Sequence, residues 1–524
     1  MDLPHKEADA HPPKVLLPVK QKRASKPRSR TGCRTCRARR VKCDETPGAC
    51  QQCTSTGRVC DGYEAQRLPL PSRKKTTMVP CRSSAVATGF CFVTTSDEKR
   101  CFSYFQLRSI SHLIASFDNP LWEKLVLQMS YNEPAVYHAV VALGSIHQDL
   151  EQHGLPIPVS GQRPDTALSR FATEQSLRSY SLLTKRRASQ DPALRQVVLV
   201  CCLLFTLAEL LYARPATASV HLSGGLKILR EHKAQRSVHS PWEQQSTLET
   251  YLHLQSQSFS LLNKGPPILP IDQEILYERP YENYLSAFST FGEAHQAFGP
   301  AFNASCGYFV RFWKQSQQQA TIPGDGEDEP SEDSPLGPLR IISCLNQFLQ
   351  ALEAFVAASF TRLSAKEQRG VQVLRVTAHG QIVGIKSCLL RSNGCSLHPL
   401  MEDYKRLQRM LEMTLALIQD RPLISLGISL TPVFFFLAQC PDHGIRWWAL
   451  DGLLSWPHCG GFFNTNQMAE SILDWTKDEL RVLREKCPEG VAGTVSFVTE
   501  TDGSSYARIS YAGRDGPKER LLEL

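Results

Sequence analysis

Six cysteines near the N-terminus form two copies of the spacing C-x2-C-x6-C, and the second copy begins 17 residues after the first. Zinc takes four ligands in a tetrahedral arrangement, and thiolates of C-x2-C pairs are typical zinc ligands. Two separate sites would need more thiolates than are present, so two ions could be held only if two thiolates bridge them. Cys33 and Cys50 begin the two copies and are the symmetric candidates for bridging. The full set is Cys33, Cys36, Cys43, Cys50, Cys53 and Cys60.

The residues between the cysteines divide the two copies by charge. The first six-residue segment carries Arg37, Arg39, Arg40 and Lys42, whereas the corresponding segment of the second copy carries only Arg58. Nearby arginines offset the negative charge of a thiolate cluster, but that need alone would not confine them to one half. A surface that faces phosphates would do so. The pattern therefore predicts a nucleic-acid interface on the first half.

This stretch resembles the cluster of the fungal binuclear zinc-cluster transcription factors, whose two cysteine units are joined by a short loop containing a proline. The loop here is Asp44–Ala49 with Pro47, and the match extends to Asp61-Gly62-Tyr63. The resemblance implies two Zn²⁺ ions as cofactors, bound in two overlapping sets of four ligands. The implied sets are Cys33, Cys36, Cys43 and Cys50 for one ion and Cys33, Cys50, Cys53 and Cys60 for the other.

The resemblance also implies a short helix after Cys36 that enters the major groove of double-stranded DNA, commonly at CGG triplets. By position in the motif, Arg40 matches the main base-reading residue, while Arg37, Arg39 and Lys42 match phosphate or accessory contacts. An arginine can donate two parallel hydrogen bonds to O6 and N7 of guanine, worth about 1–3 kcal/mol of discrimination. The alternatives are a disulfide-rich module or one structural zinc with two spare thiols. Disulfide frameworks are typical of secreted chains, and the start of this sequence lacks the apolar stretch of a secretion signal.

Charge is concentrated at the N-terminus. Residues 1–75 carry 18 Lys and Arg against 7 Asp and Glu, whereas the whole chain has a formal net charge of +8, so the remainder is negative. The arm Lys20–Arg30 is basic and has little to pack, which is typical of a disordered phosphate-contacting segment and a nuclear-import signal. A merely solvated tail is the alternative. We expect a nuclear protein that contacts DNA and the transcription machinery and does not enter a membrane.

The rest of the chain predicts a large all-α domain, so the fold class is mostly α: a small two-zinc cysteine cluster, then helices, with a C-terminal β-hairpin. Apolar residues recur at helical spacing, and strand-like alternation is confined to Gly493–Val498 and Tyr506–Tyr511. Three strings resemble the regulatory domain of one group of fungal zinc-cluster factors: Glu133–Gly144, His221–Leu229 and Pro432–Cys440. The helical segments are expected at 121–129, 135–143, 166–187, 193–213, 217–232, 243–263, 340–363, 402–419, 443–455 and 465–486.

The predicted organisation follows these changes in composition. It comprises a disordered basic arm (1–30), the zinc-cluster domain (31–63), a linker (64–97), the helical regulatory domain (98–490) with a disordered acidic loop (322–338), and a C-terminal tail (491–524). An activation segment is a weaker interpretation of the acidic loop, because it has no aromatic residues. No sustained heptad pattern follows the cluster, so monomer and homodimer both stay open.

Two other functional classes are an enzyme and a ligand-sensing or partner-binding regulator. The sequence has no nucleophile elbow, phosphate-binding glycine loop or H-E-x-x-H motif, and His138, His147 and His153 lack metal-ligand spacing on one helical face, so we expect no enzyme. The alternative function is a ligand-sensing or partner-binding helical regulator in which the cluster only assists targeting. Phe434–Phe436 and Trp447-Trp448 could line its pocket, although aromatic core packing is the simpler interpretation. The resemblance implies a metabolic or biosynthetic gene set as the target, and these residues do not select one.

Overall fold

The computed structural model describes residues 32–46, 49–62, 90–153, 164–191, 193–233, 242–258, 288–321, 337–491, 493–499, 504–513 and 516–524. The predicted arm, most of the predicted linker and most of the acidic loop lie outside these residues. The chain divides into two compact units, Met1–Gln66 and Arg67–Leu524.

The first unit contains two short helices, one in each copy of the cysteine repeat. Helix α1 spans Arg34–Ala38 and helix α2 spans Gln51–Thr54. The cysteines form a small buried core of their own, in which five of the six are at most 5% exposed and Cys60 is partly buried.

The second unit is helical, as the periodicity predicts. Two π-helical turns, Phe105–Ser109 and Leu121–Leu125, and two short 3-10 turns, Phe360–Arg362 and His398–Leu400, connect some of its helices. The α-helices in chain order are Ser96–Tyr104, Ile110–Leu113, Val126–Asn132, Pro134–His153, Ala167–Lys185, Ala193–Leu211, Pro215–Lys233, Trp242–Ser258, Phe291–Thr321, Pro338–Ser359, Ala365–Ser392, Met401–Ala416, Thr431–Leu437, His443–Ser455 and Thr465–Lys486.

The first hydrophobic core surrounds the apolar helix Ala193–Leu211. This helix packs against the helices Pro134–His153 and Pro215–Lys233. The large side chains of Trp122 and Tyr137 are fully buried in the same core. Ala193–Leu211 and Pro338–Ser359 are both long and apolar enough to cross a membrane by composition. Both contribute buried side chains to the cores of this unit.

The second core lies among the helices from Phe291 onward. It includes Phe434, Phe435, Phe436, Trp447 and Trp448, each at most 7% exposed. These aromatic side chains fill the core, so they do not line the ligand pocket considered above.

The long helix Ala365–Ser392 crosses this core and is absent from the sequence-based expectation. It begins with a capping box, in which the Ser364 side chain accepts from the Glu367 N–H and the Glu367 carboxylate accepts from the Ser364 N–H. Its glycines allow close packing: a Cβ on Gly384 would lie 2.6 Å from the Phe436 ring. The same glycines weaken the helical pattern in the sequence.

Two small sheets complete the unit. In the first, β1 (Ile424–Ser425) pairs parallel with β2 (Cys459–Gly460), which pairs antiparallel with β3 (Phe463–Asn464). In the second, β4 (Val495–Thr499), β5 (Ser505–Gly513) and β6 (Gly516–Glu523) form an antiparallel meander.

The second sheet confirms the predicted hairpin and adds a third strand. Its buried side chains Val495, Ile509 and Leu522 join the second core. Asp451 accepts hydrogen bonds from Lys518 at 3.0 Å and Arg520 at 3.2 Å. The segment predicted as a tail is therefore part of the folded unit.

Two adjacent glycines in the helix Pro215–Lys233 test this packing. A Cβ on Gly225 would lie 2.0 Å from the Tyr251 hydroxyl, whereas a Cβ on Gly224 would have no atom within 4 Å. Tyr251 cannot move aside cheaply, because it is fully buried and donates to the Leu199 carbonyl at 2.8 Å.

We predict opposite effects of Gly225→Ala and Gly224→Ala. Gly225→Ala should lower the free energy of unfolding by about 1–3 kcal/mol through overpacking. Gly224→Ala should raise it by about 0.5–1 kcal/mol through helix propensity. Urea unfolding of the full chain measures both, and equal midpoints for the two variants would contradict this packing.

Candidate metal centre and nucleic-acid interface

The two cysteine units repeat each other in backbone as well as in sequence. The Cys33 N–H donates to Sγ of Cys43 at 3.3 Å, and 17 residues later the Cys50 N–H donates to Sγ of Cys60 at the same distance. Each leading cysteine also begins a short helix, Cys33 as the N-cap of α1 and Cys50 as the N-cap of α2. The chain therefore builds one half-cluster twice.

The sulfur atoms converge into two overlapping groups. Within each group the ligand atoms lie within 4.8 Å of one another, and Cys33 and Cys50 belong to both groups. The Sγ atoms of this shared pair are 3.5 Å apart. A tetrahedral zinc site with Zn–S bonds of about 2.3 Å has sulfur atoms about 3.8 Å apart, so the arrangement fits two ions. The groups are Cys33, Cys36, Cys43 and Cys50, and Cys33, Cys50, Cys53 and Cys60.

Burial disfavours ionisation of the two shared thiols, those of Cys33 and Cys50. It raises the pKa of Cys33 and Cys50 far above the ordinary thiol range. At Cys43 burial also opposes ionisation, but the N–H groups of Cys33 and Glu45 outweigh it and lower the pKa. Zinc binds thiolates rather than thiols, so zinc binding to these buried groups releases protons and is coupled to folding of this unit.

Two aspartates, each directly after the last cysteine of its copy, connect the halves. The Asp44 carboxylate accepts from the N–H groups of Gln51 and Gln52, both at 2.9 Å, at the start of α2. These donors, together with the Thr46 hydroxyl, hold the pKa of Asp44 well below its usual range. The Asp61 carboxylate accepts from the Thr35 hydroxyl at 2.7 Å, in the first turn of α1. Each half therefore stabilises the helix of the other.

Left-handed backbone also recurs at the 17-residue offset. Arg40 has a φ of 58° and its counterpart Gly57 a φ of 65°, while Glu45 has 60° and its counterpart Gly62 has 78°. Glycine adopts this conformation freely, but a residue with a Cβ does so at a cost of roughly 1–2 kcal/mol. At this position the second half has Gly57, which suits a positive φ, whereas the first half has Arg40 in spite of that cost.

The predicted DNA-contacting residues lie on one stretch, although the helix there differs from the expected one. Helix α1 begins at Arg34 rather than after Cys36, because Cys33 caps it, and it ends at Ala38. Only Arg37 is helical, whereas Arg40 and Lys42 follow the helix and are exposed. Arg39 turns toward the second half, where its Nη1 donates to the Thr56 hydroxyl at 3.1 Å and the Gln52 carbonyl at 3.5 Å.

The histidines that the sequence singled out have packing partners in the second unit. His147 shares a hydrogen bond with the Ser109 hydroxyl at 2.8 Å, and His138 shares one with the Gln175 side chain at 2.6 Å. In the described part of the chain, the two cysteine groups are the only clusters with metal-ligand geometry.

Two family models match the chain. Residues 31–69 match the fungal Zn(2)-Cys(6) binuclear cluster domain, and residues 100–267 match the fungal specific transcription factor domain. The second match covers the helices of the first hydrophobic core and leaves most of the second core unmatched.

Several curated proteins are similar to this chain. Transcription regulator lscL of Purpureocillium lilacinum is 28% identical over 38% of this chain and 49% of its own length. Aspercryptin biosynthesis cluster-specific transcription regulator atnN of Emericella nidulans is 27% identical over 46% of this chain and 41% of its own length. Transcriptional regulatory protein moc3 of Schizosaccharomyces pombe is 59% identical over 39 residues, which are 7% of this chain and 8% of its own length. The matched regions thus span about half or less of these relatives, and no solved structure matches the chain significantly.

The shared thiolates generate a prediction about zinc content. Cys33→Ser should release both ions, because Cys33 belongs to both ligand groups, whereas Cys36→Ser should retain about one ion. Zinc per full-length chain, measured by native mass spectrometry, separates the two outcomes. Cys395→Ser is the control, because Cys395 is exposed and lies outside the cluster. A full zinc equivalent retained by Cys33→Ser would show that the sites are separate.

Proposed function

We propose that this chain, which carries matches to the zinc-cluster and fungal transcription factor domains, binds double-stranded DNA sequence-specifically and controls RNA polymerase II genes in the nucleus. The target is a CGG-like triplet read in the major groove. The single observation that carries this proposal is the left-handed, exposed Arg40, whose repeat counterpart is Gly57. The proposal assigns no catalytic role to the chain.

Backbone strain supports base reading by Arg40. A strained residue persists where the surroundings enforce it, and such positions cluster at functional sites. The backbone around Gly57 makes the same turn with glycine, so the fold alone does not require an arginine side chain. The Arg40 side chain leaves the cluster beyond the end of α1 and is free of the metal core. Its guanidinium suits O6 and N7 of guanine, which accept two parallel hydrogen bonds.

The other basic residues take different roles in this proposal. Lys42 is exposed next to the buried Cys43, and Arg37 lies on the last turn of α1, so both contact phosphates. Arg39 supports the interface instead, because its guanidinium is hydrogen-bonded to the second half. Phosphate contacts position a protein on DNA, whereas base contacts specify the sequence.

The class of target genes is also a proposal. One similar protein bears the name of a regulator specific to a biosynthesis cluster, and it shares 27% identity with this chain over 266 residues. We infer that this chain likewise controls a metabolic or biosynthetic gene set. Measuring transcripts after deletion of the gene tests this, and unchanged expression of every biosynthetic gene set would contradict it.

Arg40→Gly and Lys42→Ala separate base reading from phosphate contact. Arg40→Gly should cost specific binding about 1–3 kcal/mol and leave non-specific binding nearly unchanged. Lys42→Ala should weaken both and reduce the slope of log affinity against log salt by about 1. Fluorescence anisotropy with CGG-containing and scrambled duplexes at several salt concentrations measures these terms.

Zinc content and thermal stability provide the folding control for that comparison. Arg40→Gly should keep two zinc ions and melt no earlier than the wild type, because glycine suits the φ of 58° at this position. Equal loss of specificity in the two variants would contradict the role of Arg40 as base reader.

A further inference from the structure

A cavity of about 460 Å³ opens in the helical unit between the helices Trp242–Ser258 and Phe291–Thr321. The segment Phe117–Asn119 and the turn at Leu426-Gly427 form its other walls. Pockets for small molecules are typically about 300–1,000 Å³. The cavity is therefore large enough for an organic molecule of several rings.

The cavity lies at the seam between the two hydrophobic cores. Leu113 on its wall belongs to the first core, whereas Phe117 belongs to the second. Across the seam, Asn119 donates to the Thr250 hydroxyl at 3.2 Å, and Ser256 donates to the Asn303 side chain at 2.6 Å. A molecule bound here would touch both cores at once.

The charges around the cavity disfavour an anion. None of the described residues that line it is Lys or Arg. Of its two acidic residues, Asp118 forms an ion pair with Lys366, and Glu249 is partly exposed. Its two histidines are neutral near pH 7, because burial lowers the pKa of His253 and of His295 to about 4. An anionic ligand would lose its hydration without gaining a cationic partner.

Flat rings already line one side of the cavity. The His295 imidazole stacks on the Phe117 ring with centroids 4.1 Å apart and planes 10° apart, and His253 stacks on Phe302 at 5.4 Å and 20°. Among the described residues, none forms a hydrogen bond with the ring nitrogens of His295. A neutral imidazole offers one donor and one acceptor, so His295 can bind a polar group on a ring-containing molecule.

We propose that this seam cavity binds an uncharged, mainly apolar, ring-containing small molecule that carries at least one hydrogen-bonding group. The volume of the cavity, the absence of Lys and Arg among its described lining residues, and the ring nitrogens of His295, which have no hydrogen-bond partner among those residues, all favour that class. Binding at the seam would fix the position of one core relative to the other, as a regulatory effector does. The inference does not depend on DNA recognition by the cluster.

Two glycines allow a matched test of the site. Gly299 lines the cavity and Gly224 lies on a helix elsewhere, and a Cβ on either would have no atom within 4 Å. Gly299→Leu therefore fills the cavity, whereas Gly224→Leu adds the same side chain outside it. Neither glycine has a positive φ, so neither substitution strains the backbone.

The probes are the uncharged dye Nile red and the anionic dye anilinonaphthalene sulfonate, added to the full-length, zinc-loaded chain. Nile red should bind saturably at one site, and the anionic dye at least about tenfold more weakly. Gly299→Leu should weaken Nile red binding by about tenfold or more without lowering the thermal midpoint. Gly224→Leu should bind like the wild type.

A second variant keeps the test decisive if Gly299→Leu fails to fold. Glu249→Lys places a cation on the cavity wall at a partly exposed position and should shift the preference toward the anionic dye. Unchanged Nile red affinity in folded Gly299→Leu, or unchanged dye preference in Glu249→Lys, would overturn the proposal.

Discussion

The sharing of Cys33 and Cys50 by both ligand groups is the constraint on which the zinc-cluster unit depends. Six thiolates around two divalent ions leave a net charge of about −2 in a small buried core. The chain has few apolar side chains there, so the metal ions replace the hydrophobic core that a unit of this size cannot build. The two shared thiols also hold the halves together, and the hydrogen bonds that Asp44 and Asp61 accept from the opposite half depend on that arrangement.

The two halves have the same backbone conformation but different side chains. This difference explains how the first half can form the proposed DNA interface. The repeated hydrogen bonds and left-handed positions show that either half could make the same turn. The second half uses Gly57 for that turn and carries little charge, so it serves as a support for the first. The first half places Arg40 there and surrounds it with basic residues. In the proposed function, stability and recognition are thus divided between two copies of one structure.

Much of this could be predicted from the sequence because the signals are local. Cysteine spacing predicted the six thiols that the structure brings into two groups sharing Cys33 and Cys50, and helical periodicity predicted segments such as Ala193–Leu211 and Thr465–Lys486. The hydrogen bonds that Asp44 and Asp61 accept from the opposite half were not predicted, although the two aspartates stand 17 residues apart at the same position of the repeat. The helix Ala365–Ser392 was not predicted, because the glycines that make room for the Phe436 ring weaken its apolar periodicity. The capping box of Ser364 and Glu367 marks its start in the sequence. The third strand follows β5 directly, but the charged run Lys518, Glu519 and Arg520 interrupts any strand-like alternation. The seam cavity depends on contacts between distant segments, which periodicity does not report.

We propose that a zinc cluster held together by shared thiolates presents Arg40 to guanine bases. Selection of binding sites from random double-stranded DNA, performed with the full-length, zinc-loaded chain, tests this directly. The expected result is enrichment of sites that contain a CGG triplet, and loss of that enrichment when zinc is removed by a chelator. Recovery of sequences with no common triplet from a chain that holds both zinc ions would contradict the account.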